Sequence, residues 1–343
     1  MHSLSVSVII PTVGRPAVRA AVDSVLKQTS PPLEIIVVVD TADCSIPPAL
    51  QGISHKIRLL YAGGVGPSRA RMQGIAVARG QVVAFLDDDD EWVPEKLERQ
   101  LAIWPTGPEA RAHTLMSCRY SIMDRDGRTL RTLPRRLLAR NERVAAYLFR
   151  RSSISSGEGT LHPSTLMCDR ALIDVAPWEL IFMPHEDWDW VLRVGGRSDV
   201  AIRMCPDVLV RVAAVDERSL SRTGDWRLSL RWLEQRADQL TPRERGDFLL
   251  CHTASMAFRA GSRRAGFLVA RRALSSARPG YTAWVVWGMH MVSPRLLDHA
   301  STLVSRVTQG RLRPTSRSKP RSPADPRADL PHRPGRRGTF AGG

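Results

Sequence analysis

The first ninety residues alternate between apolar runs of strand length and amphipathic helical patterns, and few folds are compatible with that alternation. The predicted strands are Ser5–Ile10, Leu33–Val39, Lys56–Tyr61 and Gln81–Leu86. Predicted helices begin after Pro16 and after the glycine-rich turn that ends at Gly66. Such a series predicts an α/β fold with a doubly wound, mainly parallel sheet and right-handed crossovers.

Four consecutive aspartates, Asp87–Asp90, directly follow the apolar run Val82–Leu86. A buried strand therefore delivers a cluster of carboxylates to its carboxyl end, which is where α/β sheets bind ligands. Carboxylates this close repel one another unless a divalent cation shares them, and Mg²⁺ or Mn²⁺ held in this way can clamp a diphosphate. The cluster is a candidate metal-nucleotide site. For an isolated acidic run, a solvated turn that caps the next helix is the alternative.

Beyond Trp92 the strand and helix signals become weaker. Short strands are predicted at Leu115–Met123, Thr129–Leu133, Leu161–Met167 and Val200–Arg211. Predicted helices run from Pro184 through Arg193, over Asp225–Leu240, from a capping box at Thr241–Glu244, and from Ser262 to about Arg278. This distribution indicates a helical region behind the sheet.

A chain of 343 residues exceeds one ordinary domain, which predicts a catalytic unit with an appendage. We expect a catalytic domain at residues 1–215 and a helical C-terminal region at 216–309. Residues 310–343 are rich in Arg, Pro, Ser and Gly and nearly lack large apolar side chains. They are predicted to form a disordered basic tail, because they cannot bury enough surface to fold alone.

The net charge of +16 raises the question of an anionic partner. Arginine pairs such as Arg135-Arg136, Arg263-Arg264 and Arg271-Arg272 are compatible with attraction to a membrane surface and equally with solvated helix faces. No nucleic-acid-binding motif accompanies them, so no nucleic-acid partner is expected. The five cysteines form no C-x-x-C pair, and neither a signal peptide nor a membrane span is recognised. A cytoplasmic location is the expectation.

Several motifs, in order along the chain, together resemble family 2 glycosyltransferases of the GT-A fold, a Rossmann-like architecture. The resemblance covers about Ser5 to Arg211. The motifs are Pro11-Thr12 with Arg15-Pro16, the strand end Val37–Asp40, the run Gly66–Arg71, the segment Phe85–Asp90, and Glu186–Trp188 with Arg193 downstream.

This resemblance implies a role for each matched residue. Pro11, Thr12, Asp40, Arg71, Asp87 and Asp88 would lie at the nucleotide. Asp87 and Asp89 match the D-x-D metal motif and would hold Mn²⁺ or Mg²⁺, although four acids in a row leave the register Asp88 and Asp90 open. The cation would stabilise the diphosphate leaving group.

The resemblance also assigns the chemistry to Glu186 and Asp187, with Asp187 as the base that deprotonates the acceptor hydroxyl. One base and a single displacement imply inversion at the anomeric carbon. The Q-x-x-R-W signature of processive synthases is missing, so transfer of one sugar is expected from a nucleoside diphosphate sugar to a glycan, a lipid-linked or a small-molecule acceptor. Without the resemblance, the simpler explanation for Glu186 and Asp187 is that acidic residues are favoured in the first turn of a helix, where they complement the helix dipole.

Two other classes of function stay open at the level of sequence. A sugar-phosphate nucleotidyltransferase also uses an α/β fold and a divalent cation, but the turn after the first strand is a poor version of its phosphate loop. A non-catalytic nucleotide-sugar-binding protein could keep the fold, although both acidic motifs speak against lost catalysis. The basic helical region would suit a membrane-surface acceptor or a homodimer contact.

Overall fold

The computed structural model describes residues 4–107, 113–179, 185–214 and 225–293. Within these residues nine strands form one sheet. They are β1 (Val6–Thr12), β2 (Glu34–Val39), β3 (Arg58–Tyr61), β4 (Val82–Phe85), β5 (Glu91–Trp92), β6 (Thr114–Met123), β7 (Thr129–Leu133), β8 (Met167–Asp169) and β9 (Ala201–Ala213). Their order is β3-β2-β1-β4-β8-β6-β9-β5, and β7 pairs with β6.

The first four strands run parallel to one another, as the alternating pattern predicts. Thr12 is level with Val39 in the register of β1 and β2. The carboxyl ends of these strands therefore lie at one edge of the sheet, where the chain continues into Asp40 and Asp87. This arrangement brings residues from distant parts of the chain to a single site.

Beyond β4 the sheet is mixed. Strand β8 is antiparallel to both β4 and β6, whereas β6 and β9 are parallel and β5 is antiparallel to β9. The predicted strand Leu161–Met167 is wrong: Pro163–Thr165 form a 3₁₀ turn, and the strand follows at Met167–Asp169. Pro163 occupies the first position of that turn, where its fixed φ is favourable and its missing N–H costs nothing.

The helices lie on both faces of the sheet. They are α1 (Val18–Leu26), α2 (Pro67–Val77), α3 (Lys96–Ala102), α4 (Val144–Phe149), α5 (Arg170–Val175), α6 (Glu186–Gly195), α7 (Trp226–Gln235), α8 (Pro242–Phe248), α9 (Ala254–Arg259), α10 (Arg263–Ser276) and α11 (Tyr281–Val292). A π-helical segment, Leu249–Thr253, joins α8 to α9. Helix α7 ends at Gln235 rather than Leu240, and a 3₁₀ turn follows it.

Alternate residues of β1 face two separate hydrophobic cores, which is the signature of a sheet covered on both sides. Val8 and Ile10 pack with Val22 of α1 in one core. Ile9 faces the other core, which contains Trp190 of α6 and extends into the C-terminal helices. The helical region is thus packed against the sheet through a continuous apolar core.

An aromatic cluster forms the centre of that contact. Phe149 of α4 meets Trp188, Trp232 and Phe248 edge to face, with ring centroids 5.3 to 5.8 Å apart. The predicted capping box is confirmed, since the Thr241 and Glu244 side chains each bond the other's backbone N–H. Pro184, the proposed boundary at residue 215 and the tail at 310–343 lie outside the described residues. Across the described ranges, none of the helices combines the length and apolar character required to cross a bilayer.

Candidate active site

The ends of β1 and β2 supply the first polar groups of the site. Thr12 is buried, and its Oγ1 donates a hydrogen bond of 2.6 Å to Asp88. Asp40 accepts hydrogen bonds from the backbone N–H groups of Val65 and Gly66, at 2.6 and 2.8 Å. Asp40 therefore orders the glycine turn that begins α2. Pro11 sits beside Val38 of β2 in the sheet, one residue before Thr12.

The four consecutive aspartates have different surroundings although they are adjacent in sequence. Asp88 is buried, bonds to Thr12 and forms an ion pair of 2.7 Å with Arg15. Asp89 is 44% exposed and forms an ion pair of 3.3 Å with the same Arg15, whose side chain is 54% exposed. Burial raises the pKa of Asp88, and the neighbouring Asp89 and Asp87 carboxylates add to that rise.

Asp90 is buried to the same extent as Asp88. It accepts a hydrogen bond of 2.5 Å from Ser164 and one of 3.2 Å from the Ala213 N–H. Burial, reinforced by the nearby charge of Asp87, raises its pKa well above the usual range. Asp90 thus joins β4 to β9 and to the turn at Pro163–Thr165.

Three possible ligand atoms converge in this region. One atom each from Asp87, Asp90 and His162 lie within 4.8 Å of one another. His162 Nδ1 is 3.5 Å from Asp90 Oδ2 and also accepts a hydrogen bond of 3.3 Å from the Ser164 N–H. Burial lowers the pKa of His162, which keeps its ring neutral and able to act as a ligand. Two carboxylates and an imidazole suit Mn²⁺ or another divalent cation.

The predicted D-x-D motif has two possible registers, Asp87 with Asp89 and Asp88 with Asp90. In neither register do both aspartates belong to the group of converging ligand atoms. Asp87 belongs to the three-residue group, whereas Asp89 points to solvent and Asp88 is occupied by Thr12 and Arg15. One oxygen of Asp87 accepts a hydrogen bond from Arg71, and the carboxylate of Asp89 is exposed. The assignment of the metal to Asp87 and Asp89 stays a prediction.

Arg71 of α2 connects the two acidic segments. Its guanidinium forms ion pairs of 2.6 Å with Asp87 and 2.8 Å with Glu186, and its plane lies over the ring of Trp178. Only 5% of Arg71 is exposed. Burial opposes its charge, but Asp87 and Glu186 outweigh burial and raise its pKa. Arg71 in turn lowers the pKa of Asp87 against the effect of burial.

Glu186 and Asp187 begin α6 and differ sharply in their contacts. Glu186 accepts hydrogen bonds from Ser68 and Arg71, so its carboxylate is fully engaged. The Asp187 carboxylate accepts a hydrogen bond of 2.9 Å from the backbone N–H of Trp188. Burial raises the pKa of Asp187 to about 6, and the neighbouring Glu186 contributes to this rise. A carboxylate in this state can accept a proton near neutral pH.

Sequence reasoning missed several groups that hold the site together. Ser164 donates to Asp90 and accepts from the Asp87 N–H, so it links both ends of the aspartate run. Tyr120 of β6 packs its ring 5.3 Å from that of His162. The sequence His162-Pro163-Ser164 is the one local signal for this turn, and its polar residues look ordinary until the fold brings them to β4.

The amino-acid sequence of residues 7–164 matches the profile of Glycosyl transferase family 2. This segment, just under half of the chain, is therefore that of a family 2 glycosyltransferase. The matched segment contains the metal-nucleotide candidates but ends before Glu186 and Asp187. The roles of the last two residues therefore depend on the geometry described above.

Two curated relatives fit that assignment. The chain is 36% identical over 130 residues to the putative teichuronic acid biosynthesis glycosyltransferase TuaG of Bacillus subtilis, covering 36% of this chain and 50% of that protein. It is 26% identical over 257 residues to the amylovoran biosynthesis glycosyltransferase AmsB of Erwinia amylovora, covering 71% and 81%. The matched segments span between 19% and 50% of the length of the first three curated relatives.

Solved structures support the fold. The structure of Staphylococcus aureus TarS aligns with a TM-score of 0.51 at 19% identity, over 77% of this chain and 45% of that one. Its 1–349 fragment aligns with a TM-score of 0.50 at 16% identity, over 90% and 92%. The chain therefore shares the GT-A fold of TarS, with its helical C-terminal region behind the sheet.

Proposed function

We propose that the chain is an inverting glycosyltransferase that moves one sugar from a nucleoside diphosphate sugar to an acceptor hydroxyl. The observation that carries the proposal is the pair of acidic segments joined by Arg71. One segment supplies candidate ligands for a cation and a diphosphate. The other supplies Asp187, a partly buried carboxylate whose pKa is raised to about 6.

Asp187 is the proposed general base. Because its pKa is about 6, Asp187 is ionised at neutral pH and yet basic enough to take a proton in the transition state. The acceptor oxygen then forms a bond to the anomeric carbon while the bond from that carbon to the diphosphate breaks. The hydroxyl proton moves to Asp187, and attack opposite the leaving group inverts the configuration.

Glu186 is assigned a supporting role. Its carboxylate is held by Ser68 and by Arg71, and it lies directly before Asp187 at the start of α6. Glu186 therefore fixes the first turn of that helix to α2. This contact orients Asp187 while leaving its carboxylate available for the acceptor.

On the donor side we propose that Asp87 and Asp89 hold Mn²⁺ or Mg²⁺. Asp90 is the weaker candidate, because Ser164 and Ala213 already bond to its oxygens. Asp89 has an exposed carboxylate and Asp87 keeps a second oxygen, so both have oxygen atoms to offer a cation. When bound, the cation would neutralise charge on the departing diphosphate and make a general acid unnecessary.

The nucleotide is assigned to the edge formed by β1, β2 and β4. Thr12, Asp40 and Asp88 lie there, with Pro11 in the adjoining backbone, and all belong to the matched family segment. Asp40 already accepts two backbone hydrogen bonds, so its remaining lone pairs are what it can offer the nucleotide. Arg71 is assigned to the diphosphate side through its contact with Asp87.

The names of TuaG and AmsB, which refer to teichuronic acid and amylovoran biosynthesis, support a surface polysaccharide as the product class. The acceptor would then be a growing glycan or its lipid-linked precursor, with a small molecule as the third class. We place the reaction in the cytoplasm, with peripheral contact to the inner face of the membrane. A homodimer is compatible with the basic helical region.

The first test is calorimetric binding of UDP, GDP, dTDP and CDP, each with and without Mn²⁺. We expect one nucleotide to bind tightly only with the cation. The matching sugar nucleotides are then incubated with acceptors, and release of the nucleoside diphosphate is followed together with the configuration of the product.

Each alternative has its own outcome. Pyrophosphate released from a nucleoside triphosphate and a sugar phosphate would establish a nucleotidyltransferase, which the family assignment disfavours. Metal-dependent nucleotide binding with no turnover over a broad acceptor panel would indicate a binding protein. If neither omission of the cation nor the Asp87→Asn substitution changes the affinity for the nucleotide, the aspartate run is not part of the donor site.

A further inference from the structure

Helix α10 exposes apolar and basic side chains together on one face. Ala265, Val269 and Ala273 turn inward and are buried. The outward residues, called the α10 face below, are Arg263, Arg264, Phe267, Leu268, Arg271 and Leu274. Phe267, Leu268 and Leu274 are 51%, 53% and 67% exposed. Three large apolar side chains this exposed on one helix indicate an interaction surface.

Helix α11 extends this surface. The helix has no charged residue and is apolar nearly all round, yet only Ala283, Val286 and His290 are buried. The Trp287 ring packs 5.3 Å from that of Phe267, which ties α11 to the α10 face. Tyr281 at the start of α11 is 83% exposed. An apolar helix with one narrow buried stripe has surface left for a further apolar environment.

The charge of this region has one sign. Residues 262–293 contain five arginines and neither aspartate nor glutamate. Arg272 pairs with Glu234 at 2.6 Å, whereas no ion pair joins Arg263, Arg264 or Arg271 to a described carboxylate. Exposed cations around an apolar and aromatic centre match the polar headgroups and acyl boundary of an anionic bilayer.

We propose that the α10 face, together with α11, docks the enzyme on an anionic membrane surface. Helix α11 has 12 residues, fewer than a membrane span requires, so the helices would lie in the interface plane. Phe267, Leu268 and Leu274 would enter the acyl boundary, and the arginines would contact lipid phosphates. The proposal goes beyond sugar transfer and does not depend on it.

Charge also distinguishes this occupant from two others. Residues 294–343 carry far more arginine and lysine than aspartate and contain no glutamate, so they would be repelled by the α10 face. A second copy of the chain would bring the same positive face and the same repulsion. An anionic bilayer is the partner whose charge complements the surface.

The test is flotation of the full-length protein with vesicles of phosphatidylcholine alone or mixed with an equal amount of phosphatidylglycerol. We expect binding to the mixed vesicles that weakens as salt rises from about 0.1 M to about 0.5 M. The triple variant R263Q/R264Q/R271Q should bind at least about tenfold more weakly. The matched control R128Q/R140Q/R203Q removes the same charge from exposed positions elsewhere and should bind as the wild type does.

A second pair of variants tests the apolar contribution. Leu268→Ser with Leu274→Ser should weaken binding severalfold, whereas Leu33→Ser with Val175→Ser, at comparably exposed positions, should not. Equal loss in both arginine variants would assign binding to overall charge and the C-terminal segment, which overturns the proposal. A dimer in light scattering that dissociates only in the α10 variants, with vesicle binding unchanged, would overturn it in favour of a second copy.

Discussion

The aspartate run after β4 and the acidic pair at the start of α6 are built alike, yet they serve opposite sides of the site. In each, one carboxylate is engaged by neighbours and another is left available. Asp88 is held by Thr12 and Arg15, as Glu186 is held by Ser68 and Arg71. Adjacent residues of the same type therefore differ in role because of what they contact.

The difference between the segments lies in the charges around them. The pKa of Asp87 is lowered because Arg71 outweighs its burial, so Asp87 stays ionised and suited to a cation. Asp187 forms no ion pair with a described arginine, and burial outweighs the influence of Arg71 and raises the pKa of Asp187 to about 6. An ionised ligand on the donor side and a moderately strong base on the acceptor side follow because Arg71 forms a direct ion pair with Asp87.

Removing the base should have the largest effect. Asp187→Asn keeps the size of the side chain but cannot accept the hydroxyl proton, so we expect the transfer rate to fall by about 10² to 10⁴. Nucleotide binding with Mn²⁺ should stay within about twofold, because the donor side is untouched. The rate constant and the dissociation constant are measured on the same preparation.

Glu186→Gln provides the comparison for that variant. This substitution weakens the hydrogen bonds from Ser68 and Arg71 that position the first turn of α6, but it leaves the base in place. Its transfer rate should therefore lie between those of the wild type and Asp187→Asn. If Glu186→Gln were the slower of the two, the assignment of the base would have to be exchanged.

Cutting the link between the two segments should cost stability. Arg71→Gln leaves Asp87 and Glu186 without their shared cation, and we expect the free energy of unfolding to fall by about 3 kcal/mol. Arg15→Gln is the matched control, because Arg15 also pairs with two aspartates but is 54% exposed. Its loss should stay below about 1 kcal/mol. Similar losses in urea denaturation of the two variants would contradict the bridging role of Arg71.

The register of the metal site can be resolved with one pair of variants. Asp89→Asn should weaken Mn²⁺-dependent nucleotide binding by at least about tenfold and leave stability unchanged, because the carboxylate is exposed. Asp90→Asn should leave the Mn²⁺ dependence of nucleotide binding unchanged, because Ser164 and Ala213 already bond to the Asp90 oxygens. The opposite pattern would move the cation to the group formed by Asp87, Asp90 and His162.

Much of the fold could be predicted because its signals are local. The apolar runs of β1, β2 and β4 and the capping box at Thr241 depend on neighbouring residues. The site depends on contacts between distant residues. Arg71 reaches Glu186 across 115 positions, and Ser164 reaches Asp90 across 74. A motif can nominate Asp87 and Asp187, but only the assembled sheet shows which neighbouring acids are already engaged.

The pH dependence should give the clearest distinction between the two segments. Since burial raises the Asp187 pKa to about 6, the transfer rate should be constant above that pH and fall about tenfold per unit below it. The same shift predicts a cost to folding. Asp187 binds its proton more tightly in the folded than in the unfolded chain, so stability falls as pH rises from 3.8 to about 6.

Asp187→Asn should therefore raise the free energy of unfolding at pH 7, by up to about 3 kcal/mol, and the gain should vanish near pH 4. Asp87→Asn offers the contrast, because the lowered pKa of Asp87 means that its carboxylate stabilises the fold above pH 3.8. That variant should be less stable than the wild type at pH 7. Thermal unfolding of both variants at pH 4 and pH 7 measures the difference. A loss of stability in both at pH 7 would mean that Asp187, like Asp87, is held by a favourable partner, and its role as a free base would no longer follow.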